Sequence, residues 1–434
     1  MLNEQRLERR RGKRSRPSSI PHPSTLFHAS SPASPFRLPF KVTYGSRAAG
    51  GATAEPRRWL ARRSGANGIS GLALVEALAK ESEQEWSKII AVSRSPPILD
   101  LSDSRISFVS MDLLGDPQEL ISKLKEAGAE ETTHVAFFAY VPKPDEHEHI
   151  EVNRKLFANS IEAVAQACPK ITTFLLQTGY KQYGAARGGE HLAKMPFKED
   201  APRHKAPNFY YVQEDMLKEA AEKYGWGTIV VRPNFILGAS KGGGGSLSTA
   251  VALYAAARKA LNEPLIFPGS EATYNLPYDF STASNDAEFQ VFLLKNEKAH
   301  GRAFNIHDGE PVPWSVMWPK IAEYFDVPIA SPPAGPLPAD KTAGRDFVLL
   351  HSVKDWAVQH AADFDKIVQQ HGLDKAAYSQ ATMDFLEFAT ARTWADVASL
   401  DAAREIGWDK SIVSFEVGFK GVFEQLKKLK IIPA

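Results

Sequence analysis

The 434-residue chain predicts a doubly wound α/β fold: a parallel sheet with helices on both faces and a smaller, mainly helical C-terminal lobe. Three observations carry this reading. A glycine-spaced turn, SGANGISG (residues 64–71), opens an amphipathic segment. Short β-branched runs then alternate with helical periods as far as Gly238. Beyond Gly238 the alternation fades into helical and irregular sequence. Alternation of this kind builds parallel sheets, because each parallel crossover needs a long connection that a helix supplies.

Residues 1–63 hold fourteen Lys/Arg against three Asp/Glu, while the whole chain carries only +1, so the remainder is net acidic and not built to grip nucleic acid. This leader is rich in Ser, Pro and Arg, has no sustained apolar period, and reads as disordered. An organellar presequence or a basic interaction tail are the alternatives, and a secretory signal is excluded by the missing apolar segment. No run of about 18 apolar residues predicts a membrane span. The single cysteine, Cys168, excludes an internal disulfide framework and fits a reducing compartment. A cytoplasmic location follows, with organellar import by the leader as the alternative.

From Ser64 each element has its own signal. Gly65, Gly68 and Gly71 permit a tight turn, close backbone approach to a pyrophosphate, and close packing of the following helix. That helix, ISGLALVEALAKES, places Leu72, Leu74, Val75 and Leu78 on one face. KIIAVSRSPP, ISFVSMDL, THVAFFAYV, TTFLLQTG and TIVVRPNFILG read as strands. PQELISKLKEAG, VNRKLFANSIEAVAQAC and Asn208 to Tyr224 read as the helices between them. Residues 64–239 are therefore expected to form a Rossmann-type dinucleotide-binding domain. After the flexible loop SKGGGGS, residues 240–434 are expected to form a substrate lobe over the sheet's carboxyl edge, where such sheets bind ligands.

What precedes the turn breaks the pattern. A buried first strand should launch it, yet Trp59-Leu60-Ala61 is flanked by four arginines, which a central strand accommodates only at a cost. The sequence reading is that this strand is replaced, that residues 1–63 reflect an altered start or frame, and that cofactor affinity is reduced or lost.

The cofactor residues expected are Gly65, Asn67, Gly68, Ile69 and Gly71 at the helix start, where free N–H groups meet phosphates. Ser93 and Arg94 end the second strand where an acid would select NAD, so a 2′-phosphate and NADPH are favoured. Asp112 is expected to hold the adenine amino group or to cap the next helix. Tyr140 is expected to wall the nicotinamide pocket. The His147–His149 run lacks further ligands at zinc spacing, so no metal is assigned.

No tyrosine stands in a Tyr-x-x-x-Lys pattern, which argues against epimerase chemistry of the common short-chain type. Two separated segments remain, TGYKQYG (178–184) and NFYYVQEDML (208–217). In these the chain resembles the progesterone 5β-reductase/iridoid synthase-like (PRISE-like) branch of the extended short-chain dehydrogenase/reductase superfamily. The resemblance continues through VVRPNFILG, EPLIFPGSEATYN, AFNIHDGEPVPW and the ending LKKLKIIPA, roughly residues 64–434. It implies that Lys181 and Tyr210 are the catalytic pair of an NADPH-dependent reductase of a C=C bond conjugated to a carbonyl. Tyr210 would donate a hydrogen bond to the enolate oxygen. Lys181 would stabilise the charge, lower the tyrosine's pKa and hold the nicotinamide ribose. It also implies that Pro233 and the backbone of Asn234 to Ile236 line the nicotinamide. Tyr211, Glu214 and Asp215 read as structural or solvated.

The segment GAARGGEHLAKMPFKEDAPRH departs from the plant members' version and is expected to border the substrate pocket, so no plant substrate is transferred. A small enone or enal is the substrate class expected. The alternatives are carbonyl reduction, epimerase or dehydratase chemistry of the wider superfamily, or a non-catalytic NADP-binding regulator. The resemblance suggests a homodimer, for which no interface can be read.

Overall fold

Seven strands, all parallel, form the central sheet: β1 (Arg57–Arg62), β2 (Trp86–Ser93), β3 (Ile106–Ser110), β4 (His134–Phe137), β5 (Thr173–Gln177), β6 (Gly227–Pro233) and a last strand, Arg302–Ile306. This computed structural model describes residues 57–62, 66–96, 102–240, 246–377 and 380–434. The leader up to residue 56, Gly65 and most of the SKGGGGS loop lie outside the described residues. From one edge the order is β3, β2, β1, β4, β5, β6 and Arg302–Ile306, so the winding reverses between β1 and β4. Ligands of open sheets bind outside the carboxyl ends at that reversal.

The first strand is in place, which corrects the sequence reading. Leu60 stands opposite Ile90 of β2 and opposite Val135 of β4. The arginines at its ends do not prevent this, because the pairing is made by the backbone with β2 and β4. An unfilled slot would leave rows of N–H and C=O groups unpaired on two buried neighbours, each costing on the order of 1–3 kcal/mol. β4 is buried along its whole length, and β2 and β5 nearly so, as near-continuous apolar runs covered on both faces should be.

Helix α1 (Ile69–Lys80) packs with the helix Ala283–Leu294 on one face, where Leu74, Val75 and Phe289 share a core with Ile89 and Leu175. Helices α2 (Pro117–Glu126), α3 (Glu146–Ala167) and α4 (Phe209–Tyr224) cover the other face through Leu120, Leu124, Leu156, Phe157 and Leu217. The chain crosses the boundary drawn at 239/240, since Arg302–Ile306 and Ala283–Leu294 come from beyond it yet complete the sheet and cover one of its faces.

The remaining helices gather around Leu247–Ala260, whose residues Leu247 to Arg258 are all buried, so it runs through the lobe's centre instead of along its surface. Within the reading TIVVRPNFILG the chain breaks after Pro233, and Phe235–Leu237 pairs separately with Phe280–Thr282. No helix among the described residues is long and apolar enough to cross a membrane.

Candidate active site

The glycine turn meets the sheet at the reversal. Gly68 is the N-cap of α1 and offers no side chain to cap it, and no acid stands in the first turn. The leading N–H groups of a helix have no intrahelical acceptors, so those of Ile69, Ser70 and Gly71 carry the partial positive charge an anion needs. The Asn67 Oδ1 is buried without a partner, an acceptor held in the turn itself. Ser70 is fixed from beneath: its Oγ accepts from Gln177 Nε2 at 2.8 Å, and Gln177 Oε1 accepts from Gln290 Nε2 at 2.9 Å. Gly238 closes the other side, for a Cβ there would collide with the Ile69 side chain. The last glycine of RPNFILG thus lets this turn lie against the start of α1.

The loop after β2 is tied to the same turn. Asn67 Nδ2 donates to Ser95 Oγ at 3.1 Å, Ser93 Oγ donates to the Ser95 carbonyl at 2.6 Å, and Ser110 Oγ donates to the Arg94 carbonyl at 3.0 Å. Arg94 itself is exposed and makes no ion pair among the described residues. The hydroxyl and amide donors are thus used within the loop, and Arg94 is the charged group it presents. Asp112 accepts from Leu114 N at 3.1 Å, but the cap of α2 is Asp116, which accepts from Gln118 N, so the helix-capping alternative for Asp112 is not the one realised.

One side chain brings the two catalytic segments together. Asn208 Oδ1 accepts from Tyr210 N at 3.1 Å as the N-cap of α4, and its Nδ2 donates to the Lys181 carbonyl at 2.9 Å. Lys181 lies in the tight turn Tyr180–Tyr183 that follows β5. Its ammonium sits 5.5 Å from the centre of the Phe209 ring, and that ring lies 4.3 Å from Tyr210, 4.5 Å from His149 and 6.2 Å from a stacked Tyr140. Tyr140 is 47% exposed, as the wall of an open pocket should be. The Tyr210 hydroxyl makes no hydrogen bond among the described residues and lies 3.4 Å from where a Cβ on Gly179 would stand.

Burial pushes the Tyr210 phenol well above its usual pKa, and Tyr140 adds to the effect. The phenol is therefore a neutral donor, and the expected lowering by Lys181 is not found. Burial lowers the Lys181 ammonium, Glu146 opposes this, and Arg392 and Arg187 reinforce it.

The neighbours read as structural are so placed. Tyr211 Oη donates to the Gln182 carbonyl at 2.9 Å and accepts from His204 N at 3.0 Å. Both carboxylate oxygens of Glu214 accept from Nη2 of the buried Arg232, at 3.0 and 3.1 Å, and Asp215 pairs with Arg203. One backbone group of this stretch is already used: the Asn234 N–H donates to Ser281 Oγ at 2.9 Å, while Phe235–Leu237 pairs with Phe280–Thr282. The Pro233 carbonyl does reach Gly179, 3.0 Å from a Cβ built there. Sequence reasoning missed Asn208, although an Asn after Pro and before a helical run is a capping signal. It also missed the ring wall formed by Phe209 and His149, and the buried, unpartnered Thr178 hydroxyl.

Beneath the site, Asp279 Oδ2 accepts from Tyr180 Oη at 2.8 Å and from Ala398 N at 2.6 Å, while its Oδ1 has no hydrogen-bond partner. Burial raises this carboxyl to about 8. A raised acid is protonated in the fold and ionised when unfolded, so its contribution to stability is full below about pH 4 and is lost as pH rises through 8. Burial lowers His307 to about 4, raises Asp308 and Asp396 to about 6, and holds Asp286 well above the carboxylate range, so above about pH 7.5 Asp286 is the one of these four that shares the alkaline range with Asp279. The melting temperature is therefore expected to fall as pH rises from about 7.5 to 9, and Asp279→Asn to reduce that slope, with Asp286 carrying the remainder. A slope unchanged in Asp279→Asn would contradict the assignment.

Sheet, turn and helix start define a nucleotide-binding fold of the Rossmann type. A family model described as a PRISE-like Rossmann-fold domain matches residues 61–433. The chain belongs to this family, within the short-chain dehydrogenase/reductase superfamily. The short chain dehydrogenase gsfE of Penicillium aethiopicum is 31% identical over 381 residues, 85% of this chain and 98% of its own. The (S)-8-oxocitronellyl enol synthase CYC2 of Camptotheca acuminata is 33% identical over 272 residues, 61% of this chain and 69% of its own. Among solved structures, the epimerase Mth375 of Methanothermobacter thermautotrophicus has a TM-score of 0.59 at 16% identity, covering 86% of this chain and 93% of its own. That likeness shows the fold.

Proposed function

We propose that this chain is an NADPH-dependent reductase of a C=C bond conjugated to a carbonyl, acting on small enones or enals. The observation that carries the reading is the Asn208 clasp, which sets a neutral Tyr210 hydroxyl and the Lys181 ammonium beside one aromatic wall at the sheet's carboxyl edge. A nicotinamide bound there would supply hydride to the β-carbon, the negative charge would move onto the carbonyl oxygen, and a proton from water at the α-carbon would complete the saturated carbonyl. Tyr210 donates a hydrogen bond to that oxygen where the charge develops, and its raised pKa keeps it a donor. Lys181 adds positive charge in a site shielded by Phe209 and Tyr140, where the charge is screened less than in water. The relatives named a short chain dehydrogenase and an enol synthase support an oxidoreductase of this class. The regulator alternative drew on a missing first strand, and β1 removes that support.

Arg94 is the residue assigned to the 2′-phosphate. Arg94→Ala is expected to weaken NADPH binding by about 10–100-fold, as for one charged hydrogen bond, with NADH affinity unchanged. Titration of cofactor fluorescence checks this, and an equal loss for both cofactors would refute the assignment. The reading as a whole is tested by NADPH oxidation against a panel of enones and enals. Consumption that requires an enone and yields the saturated carbonyl supports it. NADPH binding with no turnover across the panel counts against it.

A further inference from the structure

A second cavity lies behind the catalytic turn, in the stretch that departs from the plant relatives. It is a half-open hollow of about 590 Å³ lined by residues between 190 and 204, within the roughly 300–1,000 Å³ of small-molecule pockets. Neither Lys181, Tyr210, Tyr140 nor any residue of the glycine turn lines it. The segment expected to border the substrate pocket thus lines a cavity of its own.

Its walls are largely apolar, with Leu192, Met195, Pro196 and Pro202 among them. Its polar groups are mostly cationic. Lys194 and Lys198 are exposed, and neither makes an ion pair among the described residues. Arg203 is already held by Asp215 at 2.9 Å, and Glu190 is the one carboxylate in the lining. His191 and His204 meet edge to face, 5.8 Å apart. Unpaired ammonium groups over an apolar hollow match one ligand chemistry: a small amphipathic anion, with its apolar body against the hollow's walls and its charge at the lysines.

We infer that this cavity is a binding site for an amphipathic carboxylate, separate from the catalytic residues and adjoining their turn at the Lys181 carbonyl. The geometry of His204 places it there. Its Nε2 lies 3.3 Å from the Lys181 carbonyl, while the Lys181 ammonium lies over the Phe209 ring, which does not line the cavity. The site stands whether or not the chain reduces enones, because its test reads binding alone.

The probe is 2-naphthoate, titrated by calorimetry into the full chain with and without saturating NADPH, beside the neutral 2-naphthylmethanol. The expected result is one equivalent of naphthoate bound with NADPH present. The alcohol binds at least tenfold more weakly, and so does naphthoate to the Lys194→Glu/Lys198→Glu variant. Lys194→Gln/Lys198→Gln gives an intermediate loss, and all variants keep their NADPH affinity. No saturable naphthoate binding, equal affinity for the alcohol, displacement by NADPH, or an unchanged affinity in the charge-reversed variant would each overturn the assignment.

Discussion

Tyr210→Phe lowers kcat for enone reduction by roughly 10²–10³-fold and leaves NADPH affinity nearly unchanged, the loss expected when one preformed oxyanion donor is removed. The substitution deletes a single oxygen. In the structure that hydroxyl bonds to nothing among the described residues, so its removal leaves no neighbour unsatisfied and the fold is not disturbed. The Phe ring keeps the packing against Phe209, 4.3 Å away. Because the interaction is made with charge that develops only during reaction, the effect falls on kcat more than on KM. Steady-state kinetics with cofactor titration checks this, and a mutant that turns over at the parent rate refutes the donor role.

Lys181→Met is expected to cost at least as much, and to weaken NADPH binding as well, because the ammonium both stabilises charge and is assigned to the nicotinamide ribose. Its pH dependence has a definite sign. The active form is protonated, and burial lowers its pKa below the usual lysine value. Activity is therefore lost as pH rises, and begins to fall earlier than an exposed lysine would allow. Lys181→Arg retains charge through this range and moves the alkaline limb upward, at a reduced plateau because the planar fork cannot occupy the ammonium's position. A pH–rate profile with the same alkaline limb in the parent and in Lys181→Arg would show that Lys181 is not the titrating group.

Much of this was legible in the sequence because local periodicity and burial agree there. The strands from Lys88 to Val231 are continuous apolar runs between helical segments, and the fold realises them nearly in place. Two elements were not legible. β1 has the composition of a surface segment, and only the two buried neighbours on either side specify its backbone pairing. The strand Arg302–Ile306 is five residues long, lies some 70 residues after β6, and joins the sheet beside it through contacts no local window contains. The site shows the same division. Lys181 and Tyr210 were found by motif, but their proximity depends on Asn208, a cap that joins two segments 27 residues apart. The Asn234 N–H was expected to be free, and Ser281, which takes it, is 47 residues distant.

The central claim is that hydride is delivered to the β-carbon of an enone while Tyr210 and Lys181 hold the oxygen. The most direct test is reduction of a simple enal by the full chain with NADPH carrying deuterium at the transferred position, read by NMR of the product. The account predicts a saturated aldehyde with deuterium on the β-carbon, formed far more slowly by Tyr210→Phe. Deuterium on the carbonyl carbon, with the C=C bond intact, would contradict it and make the chain a carbonyl reductase.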